Sequence, residues 1–147
     1  MMPSLRHVGL VVRDIDKSIQ FYSDIIGLKL LTRAVEEGEF IENVVGVKDV
    51  KLEWAKLTTA NGLIVELLQY HSHPDSNQEE INYPSYRHGC SHIALTVEDI
   101  EAKYNQLVAN GLNCNSKPQV SSEGAVKVFY CHDVDGIILE LVEEIKK

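Results

Sequence analysis

The sequence predicts an α+β fold built from two tandem βαβββ modules, and three observations carry that reading. The chain repeats itself: RHVGLVVRDI at 6–15 returns as SHIALTVEDI at 91–100, offset by 85 positions with five of the ten residues identical. NGLIVELLQ at 61–69 returns as DGIILELVE at 135–143, offset by 74, which aligns Glu66 with Glu140. Self-similarity of this kind marks a repeated supersecondary unit. Within each repeat, finally, apolar spacing changes from two residues to about 3.6, as when a strand hands over to a helix.

In chain order, Val8, Leu10 and Val12 alternate with His7, Gly9 and Val11, which is strand spacing. Ile15, Ile19, Tyr22 and Ile26 then form one helical stripe, with Asp14 placed to cap its start and Gly27 to end it. The β-rich runs 28–35, 51–58 and 63–69 complete the first module. Between them, EEGEFIENVVGVKDV at 36–50 admits a loop, a short helix or a substrate-side flap. The second module repeats the order: a strand at 92–97, a helix with Ile100, Tyr104, Leu107 and Val108 on one face, a stop at Gly111, and runs at 112–115, 125–131 and 137–143. The expected organisation is one domain over 1–147, with module 1 at 4–70, a polar linker containing two prolines at 71–89, and module 2 at 90–145.

A chain of 147 residues buries enough surface to fold without disulfides. Its three cysteines, Cys90, Cys114 and Cys131, are odd in number and lack CxxC spacing, so reduced structural thiols are expected. A net charge of −8 argues against nucleic acid and anionic membranes as partners and leaves a small-molecule partner open. The apolar run from Val8 to Val12 ends at Arg13 and is too short for a membrane span. A cytoplasmic protein is the expectation.

Glu140 stands within an otherwise apolar strand, where an isolated carboxylate is costly. Each module supplies one His on its first strand and one Glu on its last, so superposing the modules maps His7 onto His92 and Glu66 onto Glu140. If the first and last strands of a module are neighbours, the four side chains converge. Two imidazoles and two carboxylates suit a divalent ion such as zinc, nickel, cobalt or manganese, ahead of iron(II). A lone strand histidine is usually structural; recurrence of both residue types at matched positions shifts the balance toward metal ligation. His71, His73 and His88 in the linker read as solvated. His132, Asp133 and Asp135 read as a turn before the last strand. Neither Cys90 nor Cys131 is marked as an activated nucleophile.

HVGLVVRDIDKSIQFYSDIIGLKL, NGLIVELLQ, SHIALTVEDI and DVDGIILELVE together resemble the vicinal oxygen chelate superfamily across nearly the whole chain. That superfamily includes glyoxalase I, methylmalonyl-CoA epimerase, fosfomycin-modifying enzymes, bleomycin-binding proteins and extradiol dioxygenases. The resemblance implies paired βαβββ modules whose mixed sheets curl around a central cleft, with metal ligands at His7, Glu66, His92 and Glu140. Ring-cleaving and thiol-transferring members resemble a three-ligand scheme, and sequestering members commonly lack the metal set, so Glu66 points to the isomerase and lyase branch. Within it, the His, Glu, His, Glu set and the closing DVDGIILELVEE are similar to glyoxalase I, with Val134 where that family has proline. GVKDVKLEWAKLTTANGLIVELLQY is similar to the epimerase, which more often has Gln at the position of Glu66 and a second His at that of Ser91. Both resemblances imply proton transfer next to a carbonyl through a metal-stabilised enediolate, with Glu140 as base and Glu66 as the second carboxylate. The alternatives are an epimerase-like isomerase, a non-catalytic antibiotic-binding protein and a ring-cleaving dioxygenase. A homodimer is expected from the same resemblance.

Overall fold

The alternating run after His7 forms β1 (Val8–Val11), and Asp14 then caps α1 (Ile15–Gln20) by accepting hydrogen bonds from the backbone N–H groups of Asp16 and Lys17. The helix widens into a π-helical turn over Phe21–Ile26 and stops at Gly27, whose φ of 95° is open to glycine at little cost. The computed structural model describes residues 1–76 and 82–146, so positions 77–81 of the expected linker lie outside the described residues. The chain divides into two units, Met1–Asn77 and Gln78–Lys147.

Unit 1 continues with β2 (Lys29–Glu36), α2 (Glu39–Val45), β3 (Leu52–Thr58) and β4 (Ile64–Tyr70). Its sheet runs β1-β4-β3-β2, with β1 parallel to β4 and the remaining pairs antiparallel. The helix packs on the face carrying Ala55, Leu57, Val65 and Leu67, all buried together with Ile15, Phe21, Tyr22 and Ile26. Each of the larger ones, such as Leu57, Val65, Leu67 and Phe21, contributes about 1.5–3 kcal/mol of transfer free energy on burial. The ambiguous 36–50 segment is a short helix because Ile41 and Val45, one turn apart, have an apolar seat on Val50, Leu52, Leu68 and Tyr70.

Unit 2 has the same plan: β5 (His92–Thr96), α3 (Ile100–Ala109), β6 (Gln119–Val120), β7 (Val126–His132) and β8 (Ile138–Glu144), in the order β5-β8-β7-β6. Asp99 caps α3 through the N–H of Ala102, and Ile100, Leu107, Phe129, Leu139 and Leu141 form the buried layer. Tyr104 meets Phe129 edge-on at 5.5 Å. The α+β class with paired βαβββ modules is thus the fold the chain adopts, as two mixed four-stranded sheets.

One expected strand is displaced. The run 112–115 contributes only a single bridge, Cys114 to Cys131, and the outer strand of unit 2 is the two-residue β6. The N–H of Leu112 is spent on the carbonyl of Leu107 as the helix ends, and Pro118 has no N–H to offer a ladder.

Candidate metal and proton-transfer site

In unit 1 the parallel β1–β4 register sets Gly9 beside Glu66, and His7, two residues earlier, falls on the same face. His7 Nε2 lies 3.6 Å from Glu66 Oε1. In unit 2 the register sets Ala94 beside Glu140, so His92 again shares the face of the carboxylate. His92 Nε2 lies 3.0 Å from Glu140 Oε2. Each carboxylate therefore projects from the face opposite the helix-packed core residues, Val65 and Leu67 in one unit and Leu139 and Leu141 in the other. Glu66 keeps 13% of its side-chain surface exposed and Glu140 25%, so both are substantially desolvated.

The other ring nitrogen of His92 meets Ser91. Ser91 Oγ donates to the carbonyl of Ser85 at 3.3 Å and lies 3.0 Å from His92 Nδ1. The 3.0 Å contact of His92 Nε2 with Glu140 Oε2 is a hydrogen bond when that nitrogen carries a proton and the spacing of two ligands to one ion when it does not. Two ligand atoms about 2.0–2.2 Å from a common ion, at angles between octahedral and tetrahedral, are about 2.8–3.6 Å apart. The two pairs, at 3.0 and 3.6 Å, fit that spacing. Imidazole plus carboxylate is also a donor chemistry that divalent transition metals accept. Within neither unit does a third His, Cys, Asp or Glu among the described residues complete a group of three.

Two neighbours of the pairs were not singled out by sequence. Lys56 stands directly opposite Glu66 across β3–β4, with Nζ 3.9 Å from Oε2 and 5.0 Å from the centre of the Trp54 ring. Tyr130 holds the matching place opposite Glu140; its hydroxyl is 3.5 Å from His92 Nε2 and the two rings are 4.9 Å apart. Burial, and then the charge of Glu140, raise the Tyr130 phenol above its ordinary range, so it stays a neutral donor. The signal for both lay in the hairpins: each residue precedes its glutamate by ten positions, and centring the turns on Asn61 and Asp135 pairs them.

The remaining candidates occupy other places. His71 Nε2 is 3.0 Å from Glu53 Oε1, and His73 Nδ1 is 2.7 Å from Ser72 Oγ. His88 and Cys90 line a surface cavity with Arg87. His132 is buried, its ring bridging Asn113 and the carbonyl of Tyr83. Asp133 accepts from the N–H groups of Asp135 and Ile137, shaping the turn.

A repeated βαβββ unit with a His–Glu pair on one sheet face defines a class that comparison identifies. Residues 4–141 match the sequence profile of the Glyoxalase/Bleomycin resistance protein/Dioxygenase superfamily, and the chain belongs to that superfamily. Among its relatives, lactoylglutathione lyase of Haemophilus influenzae is 29% identical over 143 residues, covering 93% of this chain and 90% of that protein. A probable lactoylglutathione lyase of Synechocystis is 30% identical and covers 97% of both chains. Among solved structures, a glyoxalase family protein from Bacillus cereus superposes with a TM-score of 0.89 at 28% identity, covering 99% of this chain and 97% of that one. A fosfomycin resistance protein from Listeria monocytogenes, solved with Mn(II), shares the fold at a TM-score of 0.65 and 18% identity, covering 99% of this chain and 95% of that one. No helix among the described residues is long and apolar enough to cross a membrane.

Proposed function

We propose that this protein is a metal-dependent lyase or isomerase of the glyoxalase I-like type, moving a proton next to a carbonyl of a small α-oxygenated substrate. The observation that carries this reading is the duplicated pair: each unit holds an imidazole and a carboxylate at a separation suited to one small cation. The distant relationship to lactoylglutathione lyases supports the same branch. His7, Glu66, His92 and Glu140 would hold one divalent ion, with the chain acting as a single domain. When bound, such an ion supplies Lewis-acid stabilisation for negative charge developing on substrate oxygens.

The chain's own groups divide the remaining work. Glu140 is the base that takes the proton from carbon; its neighbours are His92 and, directly across the ladder, the neutral phenol of Tyr130. Glu66, with Lys56 beside it, serves as the second carboxylate, placed to return a proton. Tyr130 is positioned to donate a hydrogen bond at the same locus, and Ser91, hydrogen-bonded to Nδ1, orients the His92 ring. A homodimer is part of the proposal; exposed Val11, Leu31 and Val35 on the outer strands of the unit 1 sheet support it.

The test is the metal content of the purified protein, followed by turnover of the hemithioacetal of methylglyoxal and glutathione before and after chelation. Activity that disappears with chelator and returns with metal supports the reading. A protein that takes up no divalent metal, or a loaded protein inert toward the hemithioacetal, overturns it. Molar mass in solution decides the dimer.

A further inference from the structure

Cys114 and Cys131, both free thiols, face each other across an isolated antiparallel bridge. His132 N–H donates to the carbonyl of Asn113 at 2.9 Å, and Asn115 N–H donates to the carbonyl of Tyr130 at 2.8 Å. These bonds flank the cysteines on both sides, so Cys114 and Cys131 face each other as a non-hydrogen-bonded antiparallel pair. Side chains at such positions project to the same side of the ladder from Cα atoms about 4.5 Å apart. That separation falls inside the window of about 4.4–6.8 Å over which a disulfide closes without backbone movement.

We propose that Cys114 and Cys131 are a site of reversible disulfide formation in the folded protein, stapling the segment after α3 to β7. The oxidant is a small-molecule disulfide. Cys114, the more accessible thiol, attacks one of its sulfurs, forming a mixed disulfide and releasing one small thiol that takes the proton. Cys131 then attacks the Cys114 sulfur, closes the protein disulfide and releases the second small thiol. Two protein thiols lose two electrons and two protons together, and the small disulfide accepts all of them. No charge is left in the buried position.

The surroundings set the rate and the consequence. Burial pushes the Cys131 thiol up to about 12, reinforced by Cys114 and Asp133 nearby, and burial raises Cys114 as well. The pair is therefore slow to close at neutral pH and faster in alkali. The staple fixes β7 next to Tyr130, which meets His92, while leaving His92 and Glu140 chemically unchanged. It closes a loop of about 17 residues, long enough for a disulfide to stabilise the fold appreciably.

The experiment uses the full wild-type chain, incubated folded with oxidised glutathione near pH ~9 or with diamide, then denatured and alkylated. Peptide mapping is expected to show a Cys114–Cys131 cross-link with Cys90 alkylated, and a Tm higher by roughly 5–10 °C that returns to its starting value on reduction. Cys114→Ser and Cys131→Ser remove both the cross-link and the oxidant-dependent rise. Alkylation of all three cysteines after both oxidants overturns the proposal. So does a cross-link that involves Cys90, or a Tm that fails to rise when Cys114 and Cys131 are bridged.

Discussion

The two units answer the same construction problem with different side chains. Both place a strand-borne side chain under the helix start: Gln69 Oε1 accepts from the N–H of Ile15 at 2.8 Å, and Glu143 Oε2 from that of Ile100 at 2.7 Å. Both tie helix to sheet with charge. Arg33 bridges Asp16 on α1 and Glu53 on β3 in unit 1, whereas Lys127 on β7 reaches Glu101 on α3 directly in unit 2. The His–Glu pair is kept, but its third partner is a cation, Lys56, in one unit and a neutral phenol, Tyr130, in the other. Unit 1 alone adds α2 across the same sheet face. The two units keep the helix caps, the helix-start acceptor and the His–Glu pair, and differ in the side chain that stands opposite each carboxylate.

The comparison breaks most visibly at the carboxylates. Glu140→Gln is expected to lower kcat by about 10³-fold, the scale of losing a positioned base, and Glu66→Gln by clearly less. Steady-state kinetics on metal-loaded variants, with bound metal quantified, checks this. Equal losses would remove the assigned division of roles. Next in size are Leu67→Ala and Leu141→Ala, matched positions with no exposed surface; each is expected to destabilise by about 3 kcal/mol in urea unfolding. A large inequality would show that one sheet tolerates a cavity the other cannot close.

Removing the helix caps tests the repeat more gently. Asp14→Ala and Asp99→Ala should each cost about 1 kcal/mol by denaturant titration. Gln69→Glu would set a second carboxylate directly opposite Glu53, where unit 2 has Lys127 opposite Glu143, and a loss of about 0.2–1 kcal/mol in denaturant titration at low salt is expected. The smallest effect concerns acid stability. Burial works to raise Glu53, but hydrogen bonds from Arg33 and His71 prevail and hold it below its ordinary value. A carboxylate depressed on folding contributes stability that is present above its unfolded pKa and lost as pH falls through the folded one. Glu53→Gln should therefore flatten the acid limb of Tm against pH, below about pH 4.5, and leave the neutral plateau shape unchanged.

Much of this was legible in the chain before folding. The periodic stretches gave strand and helix boundaries within a residue or two, because buried faces impose periods of two and 3.6 on sequence. Asp14 and Gly27 announced helix ends through side-chain or φ requirements that few residues meet. The expected strand at 112–115 failed because its apolar residues carried the pattern while the helix end and Pro118 controlled the hydrogen bonds. Segment 36–50 was ambiguous because seven helical residues show barely two turns of period; its seat on Val50 and Leu52 made it a helix.

By itself, the sequence determined the class, the duplication and the identity of the paired residues, since local periodicity and self-similarity are properties of the one-dimensional chain. Only the tertiary structure decided that first and last strands are parallel neighbours, which brings His7 to Glu66 and His92 to Glu140. It also decided that Lys56 and Tyr130 stand opposite the two carboxylates and that Cys114 faces Cys131. These are register facts: a shift of one residue turns every side chain to the other face, and register is settled by packing and turn geometry across distant segments.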